Sequence, residues 1–160
     1  MFVNLLIVAI VSILIRYILK FFAGILLMPF NALSLKRMNY DSSVHFYRLK
    51  WHDLLMVILS FVAMTYLISG VCASMLSWIS EQHPENLFAK IFSLAAGSYI
   101  ASGLSRDSAL LYLQDQKNQI QTFPAFMGCM YVKLGVYVIC VLFLIFPDIT
   151  KYWSWMPYVK

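Results

Sequence analysis

Four long apolar stretches alternate with short polar connections along the whole chain. Each stretch predicts a membrane-spanning helix, because a helix needs roughly 20 mostly apolar residues to cross a bilayer. The predicted spans cover residues 2–29, 54–79, 88–113 and 126–146. The predicted fold is therefore all-α: a polytopic membrane protein whose four transmembrane helices form one bundle, as a single domain over residues 1–160.

The first stretch leaves an alternative open. Residues 2–15 are apolar apart from Asn4 and Ser12, and then Arg16 and Lys20 interrupt the run. A helix of this amphipathic kind either spans the bilayer or lies in its interface with the polar side chains turned to the headgroups. In the second case three spans remain, and only the N-terminus changes side.

The composition supports a membrane protein. Hydrophobic residues make up 62% of the chain and charged residues 12%, whereas a soluble domain has about 45–50% and about 25%. An ordinary soluble domain, a disordered tail and a secreted disulfide scaffold are thereby excluded. Cys72, Cys129 and Cys140 each lie inside an apolar stretch and are interpreted as small apolar residues, so no metal, disulfide or other cofactor is expected.

Basic residues predict the orientation. With four spans, the side that holds loops 31–50 and 114–125 carries six Lys and Arg residues, Arg106 included, and the other side carries three. Basic residues favour the cytoplasmic side, so these loops are predicted to be cytoplasmic and both termini outside, in a multi-pass inner (cell) membrane protein. The basic loop 31–50 also resembles a nucleic-acid surface, but lipid headgroups are the favoured phosphates next to two spans, and no direct nucleic-acid binding is expected.

A row of small residues marks the third span. Four of them follow one another at a spacing of four: Ser93, Gly97, Ala101 and Ser105. In lipid, helices associate through close backbone approach at small residues rather than through the hydrophobic effect. The row predicts a central helix packed on a neighbouring helix or on a second copy, which makes a homo-oligomer a candidate state.

Three basic residues fall within the spans: Arg16, Lys20 and Lys133. Charged residues inside a membrane are candidates for function, so they could line an anion path, or Lys133 could pair with a carboxylate or carry a proton. The simpler interpretation is that their long side chains extend to the headgroups. Because no carboxylate lies in the middle of a span, an ion-coupled pump is disfavoured.

Candidate contacts with a partner protein lie in loop 80–90 and in the tail after residue 147. They are Glu81, His83, Glu85, Tyr152, Trp153 and Trp155. Tyr and Trp are common in interaction hot spots, but they are also the usual residues of the aromatic belt at a membrane surface. The three loop residues could instead hold a divalent cation, although Pro84 favours a simple turn.

No catalytic motif is found in the sequence, and an enzyme is not expected. In size, span pattern and lack of active-site chemistry, the chain resembles small inner-membrane exclusion and immunity proteins of phages and plasmids, such as the SieA-like superinfection-exclusion proteins. The resemblance covers the whole chain, but no residue motif carries it, so no functional residue is transferred. It implies that the chain blocks the passage of DNA from a related phage by contacting another membrane protein or an ejected phage protein. The alternative is a small subunit of a membrane transporter, channel or assembly complex.

Overall fold

The computed structural model describes residues 1–26, 51–117 and 123–159; within these ranges it describes the side chains outside 20–26, 51–54, 56–57, 60, 105–117 and 123–128. Four α-helices and one short 3-10 helix account for most of this part of the chain. They are α1 (Phe2–Leu26), α2 (Trp51–Gln82), α3 (Leu87–Lys117), α4 (Phe123–Ile145) and the 3-10 helix Pro147–Trp153. The prediction of an all-α bundle is confirmed.

Helices α2 and α3 extend beyond the predicted apolar spans at both ends, and α4 begins before its predicted span. Helix α2 begins three residues before the predicted span 54–79 and ends three residues after it, and α3 continues four residues past residue 113. The backbone hydrogen bonds of a helix close within the helix whatever the side chains are, so polar residues at a span's ends remain helical. Pro124 lies in the first turn of α4. Backbone N–H groups in the first turn of a helix have no intrahelical acceptor, so the lack of an N–H in proline removes no hydrogen bond there.

A four-residue turn at 83–86 joins α2 to α3. The His83 amide donates to the Ile79 carbonyl at 2.8 Å, which closes the last turn of α2. The Asn86 side-chain oxygen accepts a hydrogen bond from the Ala89 amide at 3.0 Å, so Asn86 is the N-cap of α3. We call the end of the bundle that holds this turn the turn end.

Two glycines show how the helices run relative to one another. A Cβ atom on Gly97 of α3 would lie 2.8 Å from the Cys72 sulfur of α2, so these antiparallel helices are in close contact. A Cβ atom on Gly135 of α4 would lie 3.0 Å from the methyl group of Thr65, and Cys140 lies beside Cys72. Because the later residue of α2 contacts the later residue of α4, α4 runs parallel to α2.

Helix α1 lies along α3 and runs in the same direction. At the turn end the Asn86 amide donates to the Met1 sulfur at 2.8 Å. Further along, the Arg16 guanidinium lies over the Tyr99 ring, and a Cβ atom on Gly103 would meet the Arg16 side chain. The first segment therefore lies side by side with the other helices rather than across the end of the bundle.

The bundle buries apolar residues of all sizes and exposes many other large apolar residues on its outer walls. Ile79, Ala101 and Val136 are fully buried. The exposed residues of α1 are large aliphatic or aromatic side chains, such as Phe2 at 78% and Leu14 at 56%. Within the described residues, three helices contain an apolar stretch long enough to cross a membrane: Phe2–Leu19, Phe61–Gln82 and Leu87–Leu104. The corresponding stretch of α4, Cys129–Ile145, is shorter.

The parallel contact between α2 and α4 predicts an engineered disulfide. A Cβ atom at position 135 would lie 4.0 Å from the Thr65 Cβ, within the roughly 3.5–4.5 Å range of disulfides. We expect Thr65→Cys/Gly135→Cys, in a chain whose three native cysteines are replaced by alanine, to cross-link on oxidation and to lose reactivity toward maleimide. The matched control is Thr65→Cys/Val138→Cys, since Val138 is exposed on α4. Equal cross-linking of both pairs would contradict the arrangement.

Candidate functional site

Polar side chains of α1 and of the α2–α3 turn meet at the turn end. The Asn4 side-chain amide and His83 Nε2 are hydrogen-bonded at 3.3 Å, and the group is partly buried. Glu81 and Glu85 are exposed on either side of His83. Three predicted contact residues therefore lie at one end of the bundle, and His83 also fastens the start of α1 to the turn.

The second group of predicted contacts belongs to the C-terminal segment, residues 147–159, which folds back along α2. It rests on three α2 residues at a spacing of four, Tyr66, Gly70 and Ser74, which we call the α2 seat. The Ser74 hydroxyl donates to the Pro157 carbonyl at 2.7 Å, and the Tyr66 hydroxyl donates to the Tyr152 carbonyl at 2.9 Å. Residues one turn apart share a helix face, so the seat is a single stripe.

Trp153 is the internal anchor of this segment. Its indole N–H donates to the Tyr66 carbonyl at 2.8 Å, and its ring stacks on Tyr66 at 5.1 Å and meets Phe143 edge-on at 5.2 Å. Gly70 makes this possible, because a Cβ atom there would lie 2.8 Å from the Trp153 ring. The prediction that Trp153 contacts a partner is corrected, since its side chain is only 6% exposed.

The other two aromatic candidates face outward. Tyr152 is 76% exposed and Trp155 is 54% exposed. The Trp155 indole N–H donates to the Tyr66 hydroxyl at 2.9 Å, so Tyr66 binds the segment through both its hydroxyl and its carbonyl. Sequence reasoning missed Tyr66; the signal that could have found it is the stripe of an aromatic, a glycine and a hydroxyl residue on α2.

An exposed ion pair lies at the start of the C-terminal segment. The Lys151 ammonium donates to the Asp148 carboxylate at 2.6 Å. This hydrogen bond, and then the charge of Lys151, lower the pKa of the Asp148 carboxyl group below its ordinary value. The pair's small stabilising effect is therefore present above the ordinary Asp pKa and is lost as the pH falls through the lowered one.

Two of the three predicted intramembrane cations lie against tyrosine rings. The Arg16 guanidinium carbon is 4.2 Å from the centre of the Tyr99 ring, and the Lys133 nitrogen is 5.6 Å from the centre of the Tyr137 ring. A cation over an aromatic face is attracted by the ring quadrupole. The side chain of Lys20 lies outside the described residues.

The row of small residues on α3 faces the inside of the bundle. Ser93 and Ala101 are fully buried, and Gly97 packs on Cys72 of the same chain. The Ser93 hydroxyl donates to the Lys90 carbonyl at 2.8 Å, which satisfies it within its own helix. These three residues therefore contact the chain's own helices rather than a second copy; the side chain of Ser105 lies outside the described part.

Among the described residues, no three His, Cys, Asp or Glu side chains lie close enough together to hold a metal ion. The three cysteines are buried and free of disulfide bonds. The predicted cytoplasmic loop 31–50 and the middle of loop 114–125 fall outside the described residues.

The long apolar helices and their exposed apolar side chains define the class: a helical membrane protein. No protein-family model matches the chain, and comparisons with curated proteins and with solved structures found no match.

The contact between Gly97 and Cys72 predicts that Gly97→Ala destabilises the bundle. The new methyl group would lie 2.8 Å from the Cys72 sulfur and 3.4 Å from its Cα, and such overpacking costs about 1–3 kcal/mol. The gain from replacing a helical glycine, about 1 kcal/mol at most, offsets only part of it.

The control for Gly97→Ala is Gly103→Ala, whose methyl group would meet the flexible side chain of Arg16. Thermal unfolding in detergent compares the two variants. We expect the lower midpoint for Gly97→Ala, with partial recovery in Cys72→Ala/Gly97→Ala. A Gly97→Ala midpoint at or above that of Gly103→Ala would refute the packing argument.

Proposed function

We propose that this chain is a membrane-embedded exclusion or immunity protein that acts by contact, without enzymatic turnover. The observation that carries the proposal is the unequal distribution of polar groups over the described surface. The helix walls expose aliphatic and aromatic side chains, whereas the exposed carboxylates Glu81 and Glu85 lie at the turn end. A partner that meets this protein outside the lipid has these groups to bind.

The proposed placement is a four-pass protein of the bacterial inner membrane with both termini outside. The turn end holds Met1 and the 83–86 turn, and α4 also runs toward it. Fewer basic residues lie on this side of the sequence than on the side of loop 31–50, and the positive-inside rule then puts the turn end outside.

In this arrangement the exposed groups of the turn end are the first to meet material that arrives from outside. The proposed partner is an ejected phage protein, or the host membrane protein through which phage DNA passes. Binding to either would block DNA transfer after adsorption. A few residues supply most of the binding energy in many interfaces, so a small exposed polar surface is enough to act in this way.

A second candidate function rests on α1. This helix contacts mainly α3, and all ten of its exposed residues between Phe2 and Ile18 are large apolar or aromatic side chains. Lipid acyl chains can cover such an apolar face, and so can a helix of a larger transporter, channel or assembly complex. This alternative predicts a chain that is degraded when it is made without its partners.

The first test is expression of this gene alone in a sensitive bacterium, followed by challenge with phages, conjugative donors and pore-forming toxins. Adsorption and DNA penetration are scored separately. We expect selective protection against one agent after normal adsorption. Stable protein without protection against any agent would refute the exclusion proposal, and rapid degradation would favour the assembly subunit.

A substitution at the turn end is expected to abolish that protection. Glu85→Lys reverses an exposed charge of the turn, and we expect at least about a tenfold loss, which corresponds to about 1.4 kcal/mol of contact energy. The control is Val138→Ala on the exposed wall of α4. Membrane levels of each variant are measured by immunoblot, and equal loss of protection in both would contradict a contact at the turn end.

The orientation has a separate test. A membrane-impermeant maleimide applied to intact spheroplasts should label Glu85→Cys and leave Ser43→Cys unlabelled until the membrane is opened. The native cysteines are buried and provide the unlabelled background. The reverse pattern would place the turn end in the cytoplasm.

A further inference from the structure

Contacts between the helices show which residues lie at the same level along the bundle. Gly97 of α3 lies against Cys72 of α2, and Gly135 of α4 lies against Thr65 of α2. Thr65 precedes Cys72 by seven residues on a helix antiparallel to α3, so it lies level with Leu104, seven residues after Gly97. Gly135, Thr65 and Leu104 therefore share one level.

Two basic side chains lie close to this level. The Arg16 side chain of α1 packs on Gly103, one residue before Leu104, and Lys133 is two residues before Gly135 on α4. At 1.5 Å per residue, the two positions differ by about 5 Å along the bundle axis. Both side chains are partly exposed.

Exposed tyrosine rings surround the two cations. Tyr17 follows Arg16 and is 68% exposed, and Tyr66 follows Thr65 on α2. Tyr99 and Tyr137 are exposed as well, and they carry the two cations on their faces. All four helices contribute to this group, which spans about 10 Å along the axis. We call it the cation–tyrosine belt: Arg16, Tyr17, Tyr66, Tyr99, Lys133 and Tyr137.

The outer walls between the belt and the turn end carry exposed aliphatic residues. They belong to three helices: Leu6, Ile7 and Ile10 on α1, Ile91 on α3, and Val141 and Leu144 on α4. From Tyr66 to Gln82, the last residue of α2, the sixteen-residue rise is about 24 Å. This length is close to the hydrocarbon thickness of about 30 Å, and long basic side chains extend toward the headgroups.

Bilayer placement can be decided by comparing the residues that each choice leaves in the wrong solvent. Four exposed apolar residues of α2 lie beyond the belt: Leu55, Ile58, Leu59 and Val62. A bilayer shifted to cover them would put Arg16 and Lys133 in hydrocarbon, which is costly. It would also leave the exposed aliphatic residues near the turn end in water on three helices rather than one. The placement with the belt at the boundary is therefore favoured.

We propose that the cation–tyrosine belt binds the phospholipid headgroups of the leaflet away from the turn end, with phosphate groups of anionic lipids against Arg16 and Lys133. The first three turns of α2 then project beyond the hydrocarbon. The proposal requires a membrane-embedded bundle and does not depend on exclusion activity.

The chemistry of the belt fits anionic headgroups. Tyrosine rings favour the boundary between headgroups and acyl chains. The Arg16 guanidinium uses its face on Tyr99, and the N–H donors of a guanidinium lie in its plane, where a phosphate can accept them. Charge-assisted hydrogen bonds of this kind are among the stronger ones.

The described carboxylates lie elsewhere in the bundle. Among the described side chains, Glu81 and Glu85 are at the turn and Asp148 follows the end of α4, which also runs toward the turn end. None of these three shares the level of Arg16 and Lys133. A phosphate group at the belt therefore supplies negative charge that these carboxylates do not.

The first test compares depths in a bilayer. Nitroxide labels are attached at Ile10→Cys, Tyr17→Cys and Leu59→Cys in the full chain, with the three native cysteines replaced by alanine. The vesicles contain phosphatidylethanolamine and phosphatidylglycerol. Collisions of each label with oxygen and with a water-soluble nickel chelate, present on both sides of the membrane, give its depth.

We expect the label at 10 to be in hydrocarbon, the label at 17 at the headgroups, and the label at 59 in water. Successive labels in this series differ by about 10 Å along the axis, which such measurements separate. A label at 17 as deep as the label at 10, or a label at 59 in hydrocarbon, would overturn the proposal.

The second test asks whether the two cations bind lipid phosphate. Thermal unfolding midpoints are measured in micelles that contain phosphatidylglycerol or phosphatidylcholine with the same acyl chains. We expect the unmodified chain to have the higher midpoint in phosphatidylglycerol, and Arg16→Gln/Lys133→Gln to lose that difference. Arg16→Lys/Lys133→Arg keeps both charges and should keep it.

The matched control is Lys90→Gln/Lys151→Gln, which removes two positive charges outside the belt and should retain the difference. Equal loss in both double variants would show general attraction between charges and overturn the site. An equal rise with inorganic phosphate would show a site for free phosphate rather than lipid and overturn it as well. If Arg16→Gln prevents folding, as judged by circular dichroism, Lys133→Gln alone should reduce the difference, and an unchanged difference would contradict the proposal.

Discussion

Close approach of side chains to the glycines of neighbouring elements is the constraint on which this bundle depends. Each of four glycines receives a side chain of another element: Gly97 that of Cys72, Gly103 that of Arg16, Gly135 that of Thr65, and Gly70 that of Trp153. In lipid, apolar side chains gain nothing by leaving one apolar environment for another, so packing and internal hydrogen bonds must hold helices together. The four contacts join α3 to α2, α1 to α3, α4 to α2 and the C-terminal segment to α2, and so account for most of the connections of the fold.

The sequence predicted the helices because the length of an apolar stretch and the polar residues that end it are local properties of the chain. It also predicted that the Ser93–Ala101 row lies on a helix of close contacts, since spacing by four places small residues on one face. It could not predict that this row faces Cys72 of the same chain rather than a second copy, because partner choice depends on which helices the turns bring together. The contact between Gly97 and Cys72 depends on how α3 is aligned along α2, and the sequence of either helix alone does not determine this alignment.

The C-terminal segment shows a second limit of sequence reasoning. Tyr152, Trp153 and Trp155 are typical of a membrane-surface belt, and composition gives no reason to treat them differently. The backbone separates them, because a 3-10 helix turns Trp153 toward Gly70 and leaves its neighbours outside. A tryptophan can then reach the Tyr66 carbonyl only where the opposing helix lacks a side chain. The informative signal was thus on α2, about 80 residues earlier in the chain.

The surroundings of the predicted intramembrane cations indicate what these residues do in the bundle. The Arg16 guanidinium over the Tyr99 ring is stabilised by the ring quadrupole, which requires no counter-charge. Its packing against Gly103 also fixes α1 on α3, which is a structural role. Lys133 over Tyr137 is held in a similar way on α4. Of the two cations, Arg16 therefore joins two helices, whereas Lys133 lies over a ring of its own helix.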